Sequence, residues 1–217
     1  MIEIFTVVKD AEDIVEYYIN HYRTAFPGCI INIYDNNSKD KTIEICKAYS
    51  CNVFNFPKYT EFLLQDFKNT IWKKSTADWV IVCDVDELLQ ITHKDLEELD
   101  PKCNAISTIG YNMISSSPTI DWSSLTQGSH CEMYSKSVMF KPQSIKDINY
   151  CVGAHMCNPS PKFVYSKKIF NLLHYSKNYL CIENFTRSIK EKNPILPINY
   201  QYLYKELVIK QGVKTVK

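Results

Sequence analysis

Two aspartates one residue apart, in Asp84-Val85-Asp86, follow the apolar run Trp79-Val80-Ile81-Val82-Cys83 and are trailed by Glu87. In extended backbone, residues i and i+2 point to the same side, so Asp84 and Asp86 could grip one hard divalent cation, Mg²⁺ or Mn²⁺, and the phosphates it bridges. An isolated aspartate pair of this spacing reads first as an acidic loop or a helix cap. Number and order argue for more, because Asp10 and Asp35 also follow apolar, β-branched runs. His155, in Val152-Gly153-Ala154-His155, and His174, in Leu172-Leu173-His174, each end an apolar run from which an imidazole could close over a metal. A neutral imidazole suits Mn²⁺ better than Mg²⁺, although either residue also reads as a satisfied core or rim histidine.

The elements between these side chains have to bring them together. Residues 4–8, 30–34, 51–56 and 79–83 are short apolar runs read as strands. Helical spacing predicts a helix over 10–26 from Ile14, Val15, Tyr18, Ile19 and Tyr22, which Pro27-Gly28 stops. A second helix is predicted over 38–49 behind a Ser38 cap, and a third over 61–75 with Phe62, Leu63, Phe67, Ile71 and Trp72 on one face. This βαβαβαβ alternation predicts an α/β fold, a doubly wound parallel sheet that binds ligand beyond the carboxyl ends of its strands. Asp10, Asp35 and Asp84 sit at three such ends and are expected to converge on one crevice. The simpler alternative is that Asp10, Glu12 and Asp13 favour a helix N-terminus while Asp35 and Ser38 make a turn and a cap.

The second half is less regular, with strand-like runs at 105–111, 137–140, 148–152 and 169–174, and helices over 177–192 and 200–211. Its long connections, rich in Ser, Pro and Asn, are expected to recognise a second substrate. The acid-rich stretch 84–100 reads mostly as a solvated helix, and the lysines of 204–217 as a solvated tail or a membrane contact. The chain has 217 residues, 45% hydrophobic and 23% charged, enough for one real core and too few for two full domains. Lys plus Arg is 25 against 24 Asp plus Glu, a formal charge of +1, so no global field would hold the protein on nucleic acid or an anionic membrane. Nine cysteines, an odd number without any CxxC pair, argue for reduced thiols and against a disulfide framework or a zinc knuckle. With no basic leader and no segment long enough to span a bilayer, a soluble, cytoplasmic protein is expected.

Over residues 1 to about 110 the chain resembles the GT-A fold glycosyltransferases, in particular those like family 2, which use nucleotide-sugar donors. Val7-Val8-Lys9-Asp10-Ala11-Glu12-Asp13 is similar to the family's first-strand segment beside the nucleotide base, which implies contacts from Val8, Asp10 and Glu12. Tyr34-Asp35-Asn36-Asn37-Ser38-Lys39-Asp40 is similar to its second-strand motif, in which Asp35 would meet uracil and ribose, with Asn37 beside it. The resemblance puts Gln65, Asp66, Lys68 and Asn69 near ribose and pyrophosphate, and Asp84 and Val85 on the donor. It makes Asp84 and Asp86 the metal pair, with His174 or His155 as a further ligand, and leaves Glu87 either touching metal or capping the next helix. The implied fold is a Rossmann-like, mostly parallel central sheet flanked by helices, one domain over 1–217. Within it 1–110 would bind the nucleotide-sugar, 111–180 the acceptor, and 181–217 would form C-terminal helices.

The implied activity moves a sugar from a nucleotide-sugar, a UDP-sugar foremost, to a hydroxyl of a glycan or related acceptor, with inversion. Inversion needs a carboxylate base. Asp121 beside Trp122, a natural sugar platform, is the first candidate, with Asp147 and Glu132 behind it. Two alternatives stand beside this one. A nucleotidyltransferase would need a glycine-rich phosphate loop near the first strand, and Asp10-Ala11-Glu12-Asp13 has no glycine. A non-catalytic sugar-nucleotide-binding protein would bind donor without turnover.

Overall fold

The structure is a computed structural model that describes residues 1–114, 121–175 and 214–216. Strand β1 (Ile2–Val8) is central: β2 (Ile30–Asp35) flanks one side, β4 (Trp79–Val82) the other, and β3 (Asn52–Asn55) lies outside β2, all parallel. The order β3-β2-β1-β4 sets the carboxyl ends of these strands along one edge. Both faces of β1 are covered: all of its seven residues except Glu3 and Val7 are buried. Ile4 and Val8 join Ile33 and Ile81 in one core under α1 (Val15–Ala25), which buries Val15, Tyr18, Ile19 and Tyr22 in a helical stripe. Phe5, Val80 and Val82 face the other way, onto Trp72 and Phe140. Each large side chain so buried contributes about 1.5–3 kcal/mol.

The connections differ from the sequence expectation. The first helix begins at Val15, not Asp10, because residues 10–14 form a loop in which Asp10 takes a positive φ of 46°. α2 (Thr42–Ala48) starts after Ser38, whose hydroxyl accepts the Asp10 backbone N–H at 3.0 Å and so caps no helix. α3 (Glu61–Thr70) tightens into a 3₁₀ turn over Ile71–Lys74. Phe62 is 73% exposed and Leu63 41%, so the apolar face predicted for α3 is not the one it buries; its one buried residue is Lys68. Phe67 still turns inward, with its ring 4.6 Å from Tyr34 and 5.4 Å from Phe56.

Beyond β4 the sheet turns mainly antiparallel, through β5 (Glu87–Leu89), β6 (Ala105–Ile114), β7 (Gln127–His130), β8 (Met139–Phe140), β9 (Tyr165–His174) and β10 (Lys214–Thr215). The short α4 (His93–Glu97) is closed by its own capping box of Thr92 and Asp95, so Glu87 caps no helix. β5 and β7 were not expected. Each is three or four residues long, too short to show a period, and each forms because a longer strand is available beside it. Residues 148–152, expected as a strand, instead make one isolated bridge, Tyr150 to Cys157, and a 3₁₀ turn over Val152–Ala154. Side chains of α3 replace the missing neighbour: Asn69 Oδ1 accepts the Tyr150 N–H at 2.7 Å, and Gln65 Nε2 donates to the Tyr150 carbonyl at 2.8 Å. β9 runs between β5 and β6, setting His174 opposite Glu87 on one side and Asn112 on the other. The helices expected over 177–192 and 200–211 lie outside the described residues.

Candidate functional site

A cleft of about 480 Å³ opens at the carboxyl ends of β1 and β4. Val7, Val8, Lys9 and Asn36 line it from the ends of β1 and β2, and Tyr59, Glu61, Leu64 and Lys68 from α3 and the loop before it. Asp84, Asp86 and Glu87 form part of its floor, with Tyr134, Lys136 and His174 behind them and Gly153 and His155 on the remaining side. This is where a doubly wound sheet places its ligands.

The floor is a network of opposite charges. Lys68 Nζ sits 2.7 Å from Asp84 Oδ1 and 2.8 Å from Oδ2. Lys136 Nζ lies 2.6 Å from Glu87 Oε1 and 3.7 Å from Asp84 Oδ2. Glu87 also accepts the Asp84 backbone N–H at 3.1 Å, so it shapes the turn that carries the aspartate pair. Lys68, Lys136 and Glu87 are 3%, 5% and 1% exposed, and burial of that degree is tolerable only because each charge faces its opposite. Burial disfavours the charged form of Asp84, yet the ammonium groups of Lys68 and Lys136 outweigh it and hold the carboxyl well below the usual range. Burial likewise works against charged Lys136, and Glu87 and Asp84 outweigh it and push that lysine above its ordinary value.

Asp86 has different company. Its carboxylate Oδ2 lies 3.4 Å from His174 Nε2, and its backbone carbonyl accepts the Tyr175 N–H at 2.7 Å. The His174 ring stacks on Tyr134 with centroids 3.8 Å apart and planes 17° apart. Gly110 permits the backbone of Tyr134 to lie against β6, for a Cβ there would come within 2.3 Å of the Tyr134 carbonyl carbon. Burial, reinforced by Glu87 and Asp86, pushes the Tyr134 phenol far above its normal range, so it stays neutral. His155 sits nearby, its Nδ1 3.1 Å from the Met133 carbonyl and its ring edge-on to Tyr134 at 6.1 Å.

Of the residues singled out from sequence, Val8, Lys68, Asp84, Asp86, Glu87, His155 and His174 line the cleft. The others lie off its lining. Asp10 Oδ1 accepts the Lys39 N–H at 2.7 Å, Glu12 Oε2 accepts the Lys41 N–H at 2.9 Å, and Asp40 answers by accepting the Glu12 N–H at 3.0 Å. Asp35 Oδ1 accepts the Ser38 N–H at 3.0 Å in a local turn, and the Asn37 amide oxygen accepts from Lys39 Nζ. Asn69 is engaged on the Tyr150 backbone, Asp66 is exposed, and Val85 packs against the core. Asp121 is held by the Ser123 N–H at 3.0 Å, and Asp147 is paired with Lys73. Trp122, read as a sugar platform, instead donates its indole N–H to the Asp13 carbonyl and packs edge-on against Tyr175. Glu132 is an exposed neighbour of His130.

Lys136, Tyr134 and Asn112 were missed. The only sequence signal was a lysine abutting Ser137-Val138-Met139-Phe140, a run whose inner end becomes β8. Eight cysteines among the described residues carry free thiols, and the described residues contain no helix long and apolar enough to cross a membrane.

The donor set fits a divalent cation in part. Among the described residues no three His, Cys, Asp or Glu side chains are arranged around one metal position. Asp84 has both oxygens turned to Lys68, whereas Asp86 Oδ2 and His174 Nε2 face one another and, among the described residues, neither pairs with a lysine. One carboxylate and one imidazole suit an ion that completes its shell with water and substrate phosphate.

No family model and no curated protein matches the chain. Among solved structures it is similar to residues 1–349 of S. aureus TarS in complex with UDP, at 11% identity and a TM-score of 0.50, over 95% of this chain and 72% of that one. It also aligns with a longer form of S. aureus TarS at 11% identity and a TM-score of 0.49, spanning 94% of this chain but 43% of that one. Glucosyl-3-phosphoglycerate synthase from Mycobacterium tuberculosis, in complex with Mn²⁺, UDP and glucosyl-3-phosphoglycerate, aligns over 51% of this chain and 44% of its own at 15% identity and a TM-score of 0.35. The first of these likenesses shows the fold, a GT-A-like α/β sheet.

Proposed function

We propose that the chain is a glycosyltransferase that takes a sugar from a nucleotide-sugar, a UDP-sugar foremost, to a hydroxyl acceptor, with Mn²⁺ or Mg²⁺ bound at Asp86 and His174. One observation carries this reading: the cleft at the carboxyl ends of β1 and β4 sets the Asp86 and His174 pair next to two buried ammonium groups. The likeness to a UDP-bound GT-A structure supports it at the level of the fold.

The residues divide the work. Val7, Val8, Lys9 and Asn36 line the side next to β2 and would receive the nucleoside. Lys68 and Lys136 already hold Asp84 in place and can turn N–H groups toward the phosphate oxygens of the donor. The lining carries three lysines and four carboxylates, an excess of negative charge that would repel a diphosphate. A divalent cation between Asp86 and His174 would reverse that balance and supply Lewis-acid neutralisation of the leaving diphosphate. Asp84 serves this arrangement indirectly, by fixing the lysines. Neither Asp121 nor Asp147 enters it, because neither lines the cleft.

The test is release of nucleoside diphosphate from UDP-, GDP- and dTDP-sugars with Mn²⁺ or Mg²⁺, comparing the native chain with Asp86→Ala. Metal-dependent release from one donor, lost in the variant, is the expected result. Donor binding without release under any acceptor would favour a sugar-nucleotide-binding protein, and absence of binding would overturn the reading.

A further inference from the structure

Asn112 makes no contact with Asp86, yet it decides which nitrogen His174 can offer. His174 Nδ1 lies 2.7 Å from Asn112 Oδ1. An amide oxygen carries no proton, so the imidazole must donate from Nδ1. The neutral ring is therefore fixed in the Nδ1–H form, with a lone pair on Nε2 directed at Asp86 Oδ2, 3.4 Å away. Two electron-pair donors facing each other at that distance define a place for a cation.

We infer that Asn112 is a positioning residue that makes His174 Nε2 a ligand for the divalent cation shared with Asp86, with Tyr134 holding the ring plane. The inference rests on the metal reading proposed above. The fold builds the arrangement from far-apart segments: Asn112 on β6 and His174 on β9 are paired in parallel register, and Tyr134 stacks on the His174 ring with centroids 3.8 Å apart. In metal sites generally, the hydrogen bond on the far nitrogen of a histidine ligand fixes its tautomer, and its loss costs about 10- to 100-fold in metal affinity.

The experiment has two readouts, the tautomer of His174 by ¹⁵N NMR in the metal-free chain and Mn²⁺ uptake by electron paramagnetic resonance. The native chain should show the Nδ1–H form. Asn112→Val should admit the Nε2–H form and weaken Mn²⁺ uptake at least about 10-fold. Asn112→Asp, which keeps an acceptor at Nδ1, should restore both. Native His174 in the Nε2–H form overturns the inference without any variant, and so does an Asn112→Val chain with native tautomer and native Mn²⁺ affinity. Native Nδ1–H His174 in a chain that takes up no Mn²⁺ would instead overturn the metal reading while keeping Asn112 as the residue that sets the tautomer.

Discussion

The acids at the carboxyl ends of β1 and β2 and those just past β4 are the same residue types in similar local sequence, and they do opposite things. Asp10, Glu12 and Asp40 spend their oxygens on the backbone N–H groups of the neighbouring loop, a reciprocal clasp that seals the start of α2. Asp84, Asp86 and Glu87 meet lysines and a histidine brought from α3, β9 and the segment before β8. A carboxylate whose partners are backbone amides stabilises the fold. One whose partners are mobile-protonated or cationic side chains can exchange them for a ligand. Strand-end position alone does not distinguish the two.

The contrast can be broken most forcefully at Lys136. Replacing it by Met strands buried Glu87 without its counter-charge, and we expect a loss of about 3 kcal/mol or more in urea denaturation. Pairing that change with Glu87→Leu should recover much of the loss, since a buried ion pair can give way to apolar side chains at little cost. Gly110→Ala should cost about 2 kcal/mol, because the new methyl collides with the Tyr134 backbone, and the His174 ring resonances should shift as the stack opens.

A smaller effect sharpens the comparison itself. Asp10→Ala should lower stability by about 1 kcal/mol and leave Mn²⁺ uptake unchanged. Asp86→Asn should change stability by less than about 0.5 kcal/mol while abolishing Mn²⁺ uptake. The reverse pattern would sink the division between clasp and floor. The smallest effect is the pH dependence near neutrality. The folded value of Asp84 is depressed, so its contribution is complete above the ordinary carboxylate value near 4 and disappears as pH falls through the depressed one. Lys136 is raised, so its contribution is complete below the ordinary lysine value near 10.4 and disappears only as pH rises beyond it. Between about pH 5 and 9 the urea midpoint should owe no slope to this cluster, and Asp84→Asn should remove part of the acid decline.

The strands β1 to β4 and the presence of helices between them were legible because their apolar periodicity is a local property of the chain. Asp86 and His174 were legible for a similar reason, as polar residues ending buried runs. The exact helix starts were not, because Ser38 and Asp10 bond to each other across two loops. Phe62 and Leu63 were misread because helical spacing shows which residues share a face and leaves open which face the sheet will cover.

What the sequence determined by itself is the parallel half of the sheet and an aspartate pair at the end of its fourth strand. The tertiary structure alone decided the electrostatic character of that pair. Lys136 and Glu87 are distant in sequence, and only the pairing of β8 with β4 brings them within 2.6 Å. His174 reaches Asp86, and Asn112 reaches His174, only through the register of β9 between β5 and β6. A strand's existence follows from the period of its own residues, whereas a hydrogen bond or ion pair depends on angstrom-scale placement of two segments, which no pattern within either one encodes.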